Sequence, residues 1–276
     1  MVRRTGRVVL RTLRRQRLNG VVVPGIARLN PWQEGFCEWN AQRLRIPLAD
    51  AVARYRRSWN AFEGGHAGQA FRRFCLQQET AFSVLADDTP QEVHAAYELH
   101  AWLFLLRQIA QPVPQWHDGD PLLDALTGEV RPVIVDFGCG MAQAGISLSL
   151  ALRRLGVEPR IYLVDLPTVR LDFVTWLCGR LGIDHRVAVC TPAVPMPDLP
   201  RCRLVIANEV FEHLHDPVGT FRCLDAALEP GGFLLTNVAD HQSEFMHVSP
   251  DLGALRQCIA QRRYVELKPN VLFRKP

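Results

Sequence analysis

Lysine is almost missing from this chain: it stands only at Lys268 and Lys275, and arginine supplies the rest of the 32 basic residues. Without a lysine-rich stripe, and with a net charge of only +4, the sequence carries no footprint for a phosphate backbone, so a nucleic-acid partner is not expected. Paired cysteines are missing too. Cys37, Cys75, Cys139, Cys178, Cys190, Cys202, Cys223 and Cys258 stand singly, with no C-x-x-C spacing and no short disulfide framework, which fits a reducing, cytoplasmic compartment. No run of 18 apolar residues occurs, and the arginine-rich beginning lacks the apolar stretch and small-residue cleavage site of a signal peptide, so a soluble protein is expected. Internal repeats and low-complexity tracts are absent as well. What is present is 276 residues at 48% hydrophobic, enough for one large domain or for a core with a cap.

Two halves differ in pattern. Up to residue 111 the apolar residues of "DAVARYRRSWNAF" and "PQEVHAAYELHAWLFLLRQIA" recur at three- and four-residue steps, and Asp88, Thr89 and Pro90 make a helix start. This predicts a helical cap over residues 1–111. The Pro, Gly and Asp of "QPVPQWHDGDP" suit a linker over residues 112–121. From residue 122 to 276, apolar runs at Val133–Phe137, Arg160–Val164, Arg186–Val189, Arg203–Ala207 and Phe233–Val238 alternate with helix-length stretches, or with a proline-rich connection between the third and fourth. That is the rhythm of an α/β fold with a parallel sheet and crossover helices. A helix over "SPDLGALRQCIAQRR" then leads to two strands in "YVELKPNVLFRKP", joined so tightly at Pro269 and Asn270 that they must be antiparallel.

The first strand runs into a glycine turn, "VIVDFGCGMAQAG". A dinucleotide-binding loop needs G-x-G-x-x-G, so that backbone N–H groups and a helix N-terminus meet a pyrophosphate. Gly138 and Gly140 have the first spacing, but Gln143 occupies the third glycine position, and Asp136 would repel a diphosphate. An aspartate beside a close-approach turn favours a ligand that lacks phosphate and carries a cationic group.

At these residues the sequence resembles the class I S-adenosylmethionine-dependent methyltransferases, whose first motif reads acidic-x-Gly-x-Gly-x-Gly. "DFGCG" matches it at Asp136, Gly138 and Gly140, and Ala142 stands in for the last glycine. The resemblance implies a Rossmann-like class I core, a parallel sheet with an antiparallel last strand, and S-adenosylmethionine as cofactor. It implies that Asp165, 25 residues after Gly140 in "RIYLVDLP", accepts the ribose hydroxyls; capping the next helix is its other reading. Thr191 and Asn208, at the ends of the third and fourth strands, are further cofactor candidates.

"CRLVIANEVFEHLHDP" looks like the segment after strand four in the small-molecule, ubiquinone-type O-methyltransferases. That resemblance implies a divalent cation (Mg, Mn or Fe) on Glu209, Glu212 and His213, lowering the pKa of a substrate hydroxyl. Packing at the cofactor edge and helix capping are the alternatives. Asn208 is not followed by the Pro-Pro-aromatic run of base methyltransferases, which favours a small-molecule acceptor. The loop "ADHQSEFMHVSP" carries His241, Glu244 and His247 where sheet topology puts the acceptor. His241, then His213, is the candidate general base.

Three further expectations come from the first half. Tyr97, His100, Trp102 and Phe104 either line a lid over the methyl donor or pack within the cap, with core packing favoured for Leu103 and Phe104. The run "MVRRTGRVVLRTLRRQRL" sets Arg3, Arg7, Arg11 and Arg14 against Val2, Val9 and Leu13, as a peripheral membrane contact, a solvated arm or a homodimer contact would. Besides methyl transfer to a small molecule at a hydroxyl, a cyclisation or elimination on the same cofactor stays open, as does a non-catalytic cofactor-binding subunit.

Overall fold

A computed structural model describes residues 29–63, 89–109, 111–240 and 247–276. The arginine-rich start, His241 and Glu244 lie outside the described residues. The chain divides into two compact units, Met1–Gly65 and His66–Pro276.

In the first unit, α1 (Pro31–Leu44) starts where a capping box satisfies its orphan amides. The Asn30 side chain accepts from the Gln33 N–H and Gln33 reaches back to the Asn30 N–H, with Pro31 preset in the first turn. Gln33 also donates to the Tyr55 hydroxyl at 2.8 Å from α2 (Leu48–Glu63), and the Phe36 ring meets Tyr55 edge-on at 5.8 Å. The described part of this unit, residues 29–63, is therefore a helical hairpin.

The second unit starts, within its described part, at α3 (Pro90–Ile109), followed by α4 (Pro121–Thr127). Then come β1 (Val133–Phe137), α5 (Gln143–Arg154), β2 (Arg160–Asp165), α6 (Val169–Arg180), β3 (Asp184–Val189) and β4 (Cys202–Ala207). The chain closes with α7 (Pro217–Ala227), β5 (Leu228–Thr236), α8 (Gly253–Gln261), β6 (Val265–Lys268) and β7 (Leu272–Arg274). Because the units divide at Gly65, α3 belongs with the sheet, and it packs on α6. The expected cap boundary at residue 111 thus falls inside a compact unit.

The sheet has seven strands in the order β3-β2-β1-β4-β5-β7-β6. The first five are parallel; β7 runs antiparallel to β5, and β6 antiparallel to β7. Ile134, Val135, Leu204, Val205, Ile206 and Ala207 on the central strands are all fully buried, the continuous apolar run that a parallel strand covered on both faces requires. The edge strands read differently, with all of β6 exposed and Val187 and Val189 on β3 open to solvent. The strand order reverses between β1 and β4, so the crevice beyond their carboxyl ends is where this architecture places a ligand.

Buried Asp225 on α7 fastens the terminal hairpin. Its carboxylate accepts from the Tyr264 hydroxyl at 2.7 Å and pairs with Arg262 and Lys275, while its carbonyl takes the Lys275 ammonium at 2.6 Å.

Two local details shape the chain after β4. Glu212 and His213 do not open a helix: Phe211–His213 is one 3₁₀ turn, and α7 starts only at Pro217, because Asp216 caps it by accepting from the Gly219 N–H. The Gly231–Gly232 pair follows that helix. It lies within β5, where a side chain on Gly232 would come within 3.0 Å of the Arg203 carbonyl oxygen of the neighbouring strand.

Candidate functional site

After β1 the backbone turns left-handed three times, at Gly138 (φ +61°), Gly140 (φ +51°) and Ala142 (φ +47°). Glycine adopts this conformation without steric cost, whereas a residue with a Cβ is strained by about 1 to 2 kcal/mol. The turn therefore has a physical need for glycine at its third position, and Ala142 carries the strain there. At Gly138 space is the second constraint, since a Cβ would lie 2.6 Å from a Val210 methyl. A residue not singled out from sequence, Gly145, is as confined: a Cβ would meet the Asp136 carboxylate and the Ile161 side chain, each at 2.5 Å.

The Asp165 carboxylate, at the end of β2, reaches under this turn. One oxygen accepts from the Gly140 N–H at 2.6 Å and the other from the Leu166 N–H at 2.7 Å. Asp136, Gly138, Gly140 and Asp165 thus converge, as expected of neighbouring strands at one end of the sheet.

Charge at this point is unbalanced. Among the described residues, the buried ionisable acids here are Asp136 and Asp165 at the turn and Glu212 beyond β4, against one buried arginine, Arg170. Burial, and then the neighbouring Asp165, push the Asp136 carboxyl well above the usual carboxylate range, and its Oδ2 makes no hydrogen bond. The half-buried Tyr97 of α3 feels Arg170, Asp165 and Glu212 together; desolvation raises its phenol pKa, so it stays a neutral donor. Burial also pushes the Cys190 thiol up to about 12, which removes it as a nucleophile at neutral pH.

Beyond β4 the candidates separate. Asn208 is exposed in the turn. Glu209 takes a left-handed backbone (φ +53°) and accepts from the Asn237 amide at 2.7 Å. Glu212 is fully buried, and its carbonyl accepts from the Val248 and Ser249 N–H groups at 2.8 Å each. That pairing draws His247 in. Its ring lies 4.9 Å from His213, which sits 6.2 Å edge-on from Tyr97, and Glu212 Oε1 is 3.7 Å from His213 Nε2. The potential ligand atoms of Glu212, His213 and His247 lie within 4.8 Å of one another. The structure therefore groups Glu212 and His213 with His247, not with Glu209. Tetrahedral ligands about 2.1 Å from an ion stand about 3.4 Å apart, so these donors suit a cation by type, and the Glu212–His213 pair, at 3.7 Å, is already near that spacing.

Thr191 caps a turn, its hydroxyl accepting from the Val194 N–H at 3.0 Å. Of the lid candidates, Tyr97 and Phe104 pack together at 5.7 Å and both face Arg170, whereas Trp102 is exposed. The side chains of His100 and Leu103 are outside the described residues. Sequence reasoning missed Arg170 and Gln108: nothing in the string distinguishes one arginine of α6, or one glutamine near the end of α3, from the many others.

Glycine turn, acidic strand ends and a 3-2-1-4-5-7-6 sheet together define a Rossmann-like class I methyltransferase fold. A family model described as a methyltransferase domain matches residues 106–264, more than half of the chain. The chain belongs to that family. No curated protein matches its sequence. Among solved structures it is similar to TehB from Haemophilus influenzae, at 17% identity over 59% of this chain and 64% of that one, with a TM-score of 0.44. It is also similar to an S-adenosylmethionine-dependent methyltransferase from Clostridium acetobutylicum, at 15% identity over 51% and 56%, with a TM-score of 0.38. The chain spans less than two thirds of the length of either. None of the described helices is long and apolar enough to cross a membrane.

Proposed function

We propose that this protein transfers a methyl group from S-adenosylmethionine to a small-molecule acceptor, at a hydroxyl. The observation that carries this reading is the pair of buried carboxyls, Asp136 and Asp165, at the glycine turn. Such a site disfavours a diphosphate and calls for a ligand with positive charge. When bound, the donor supplies an electrophilic methyl carbon on a positively charged sulfur.

The residues divide the work by position. Gly138 and Gly140 keep the turn free of side chains, so a ligand can lie against backbone. Asp136, with an oxygen to spare, is the partner for an ammonium. Asp165 holds the turn through the Gly140 N–H and can accept ribose hydroxyls, while Thr191 and Asn208, at the neighbouring strand ends, are further cofactor candidates, Thr191 for the adenine. His213, next to the buried Glu212, is the general base; Glu212 orients it and stabilises the imidazolium that forms on taking the acceptor proton. His241 remains the alternative base. The core's main contribution is alignment: in-line displacement needs nucleophile, methyl carbon and sulfur nearly collinear, with the reacting atoms about 3 to 3.5 Å apart. Titration calorimetry tests the reading: S-adenosylmethionine and its demethylated product should bind, and nicotinamide dinucleotides should not. Dinucleotide binding without a signal from either would refute it.

The Glu212, His213 and His247 cluster favours a second form of the same reaction, in which these three hold a divalent cation that acidifies the acceptor hydroxyl. Two imidazoles and a carboxylate suit Mn, Fe or Zn better than Mg. In this form, chelation abolishes turnover of a methyl-labelled donor, elemental analysis finds metal, and His247→Ala loses it. Full turnover after exhaustive chelation leaves the base mechanism.

A further inference from the structure

Arg170 is 5% exposed, yet most of its hydrogen-bonding capacity is unused. Its Nε makes no hydrogen bond. One terminal nitrogen is 3.4 Å from the Gln108 side-chain oxygen, a long contact, and the other is 4.0 Å from Asp165 Oδ1, beyond hydrogen-bonding distance. A guanidinium withdrawn from water normally has its donors satisfied, because desolvating them unpaired is strongly unfavourable. The Tyr97 and Phe104 rings, 5.7 and 5.5 Å away, hold its cation by their π faces and take none of its in-plane N–H groups. Its terminal nitrogen lies 3.8 Å from where a Gly140 Cβ would stand, so the fork sits over the glycine turn.

We propose that Arg170 is a carboxylate-binding residue and that its ligand is the carboxylate at the amino-acid end of the methyl donor, an inference that rests on the donor reading above. Planar, bidentate donors with no carboxylate in hydrogen-bonding reach fit that group by geometry. The position selects the donor over the acceptor: Arg170 stands beside Gly140 and Asp165 on the cofactor side, while Glu212 and His213 mark the acceptor side beyond β4. An amino-acid end is a zwitterion. Arg170, with its spare donors, answers the negative end of it.

The test compares two ligands on the full-length protein by calorimetry: S-adenosylhomocysteine, and 5′-methylthioadenosine, which keeps the nucleoside and sulfur but lacks the amino-acid chain. Arg170→Gln should raise the dissociation constant of the first about ten- to hundredfold, and leave that of the second within about twofold. Arg170→Lys, which keeps the charge without the fork, should recover part of the loss. Equal weakening of both ligands would overturn the proposal in favour of a structural role through Asp165, and unchanged binding of both would overturn it outright. Should Arg170→Gln fail to fold, the Lys variant decides by the same ratio. Wild-type protein that binds neither ligand would refute the donor reading itself, and this inference with it.

Discussion

Asp136 is the residue at which folding and function pull in opposite directions. In the folded protein its carboxyl titrates well above the usual range, so the folded form holds that proton more tightly than the unfolded chain does. Stability from this group is fully present below the ordinary carboxylate pKa and is lost as pH rises through the raised value. Asp136→Asn should therefore raise the melting temperature at neutral pH, with the difference from wild type closing in acid. A cationic ligand works the other way, because it stabilises the ionised form. Wild-type affinity for S-adenosylmethionine should climb with pH as Asp136 ionises, while the Asn variant binds weakly with a flat profile. A melting scan and a calorimetric pH series check the two halves separately. Ala142 shows a smaller conflict: its left-handed backbone is imposed by the turn, and its side chain is the smallest that still pays for it.

Between elements, short polar contacts decide what the apolar pattern leaves open. The 3₁₀ turn Phe211–His213 stays a single turn because Asp216 and Pro217 start α7 only at Pro217. That start leaves Glu212 where its carbonyl can take two N–H groups from the segment after β5, and that exchange puts His247 beside His213. The C-terminal hairpin depends on one buried acid in the same way. Asp225→Ala removes the partner of Tyr264, Arg262 and Lys275 at once, and should cost about 3 kcal/mol by leaving buried polar groups unpaired. A lower denaturant midpoint with an unchanged slope would show a loss of stability alone; a changed slope would point to a loosened native state.

For the whole molecule, the division into units carries a consequence. The glycine turn, Asp165, Arg170 and the covering helix α3 all lie within His66–Pro276. Removing residues 1–65 should therefore leave a folded unit that binds S-adenosylhomocysteine within about threefold of the full chain. A cut at residue 111 removes α3 with Tyr97, Phe104 and Gln108, and should weaken that affinity further. Calorimetry on the two truncated forms, with circular dichroism to confirm folding, separates these outcomes.

The parallel strands, the glycine turn and Asp165 were legible in the amino-acid sequence because each rests on a local rule. Buried strands are continuous apolar runs, left-handed turns need glycine, and an acidic residue ending a strand emerges at the ligand edge of the sheet. The two-strand closure at Pro269 and Asn270 was legible for the same reason, since so short a joint permits only antiparallel pairing. Spacing alone could not choose among residues that meet through space. Whether Glu212 groups with Glu209 or with His247 depends on backbone pairing between segments 35 residues apart or more, as the contacts of Ser249 with Glu212 and Leu214 show. The importance of Arg170 depends on α3 folding over α6, 62 residues away at Gln108. Burial of charge is a property of what surrounds a side chain, and only the tertiary structure supplies those surroundings.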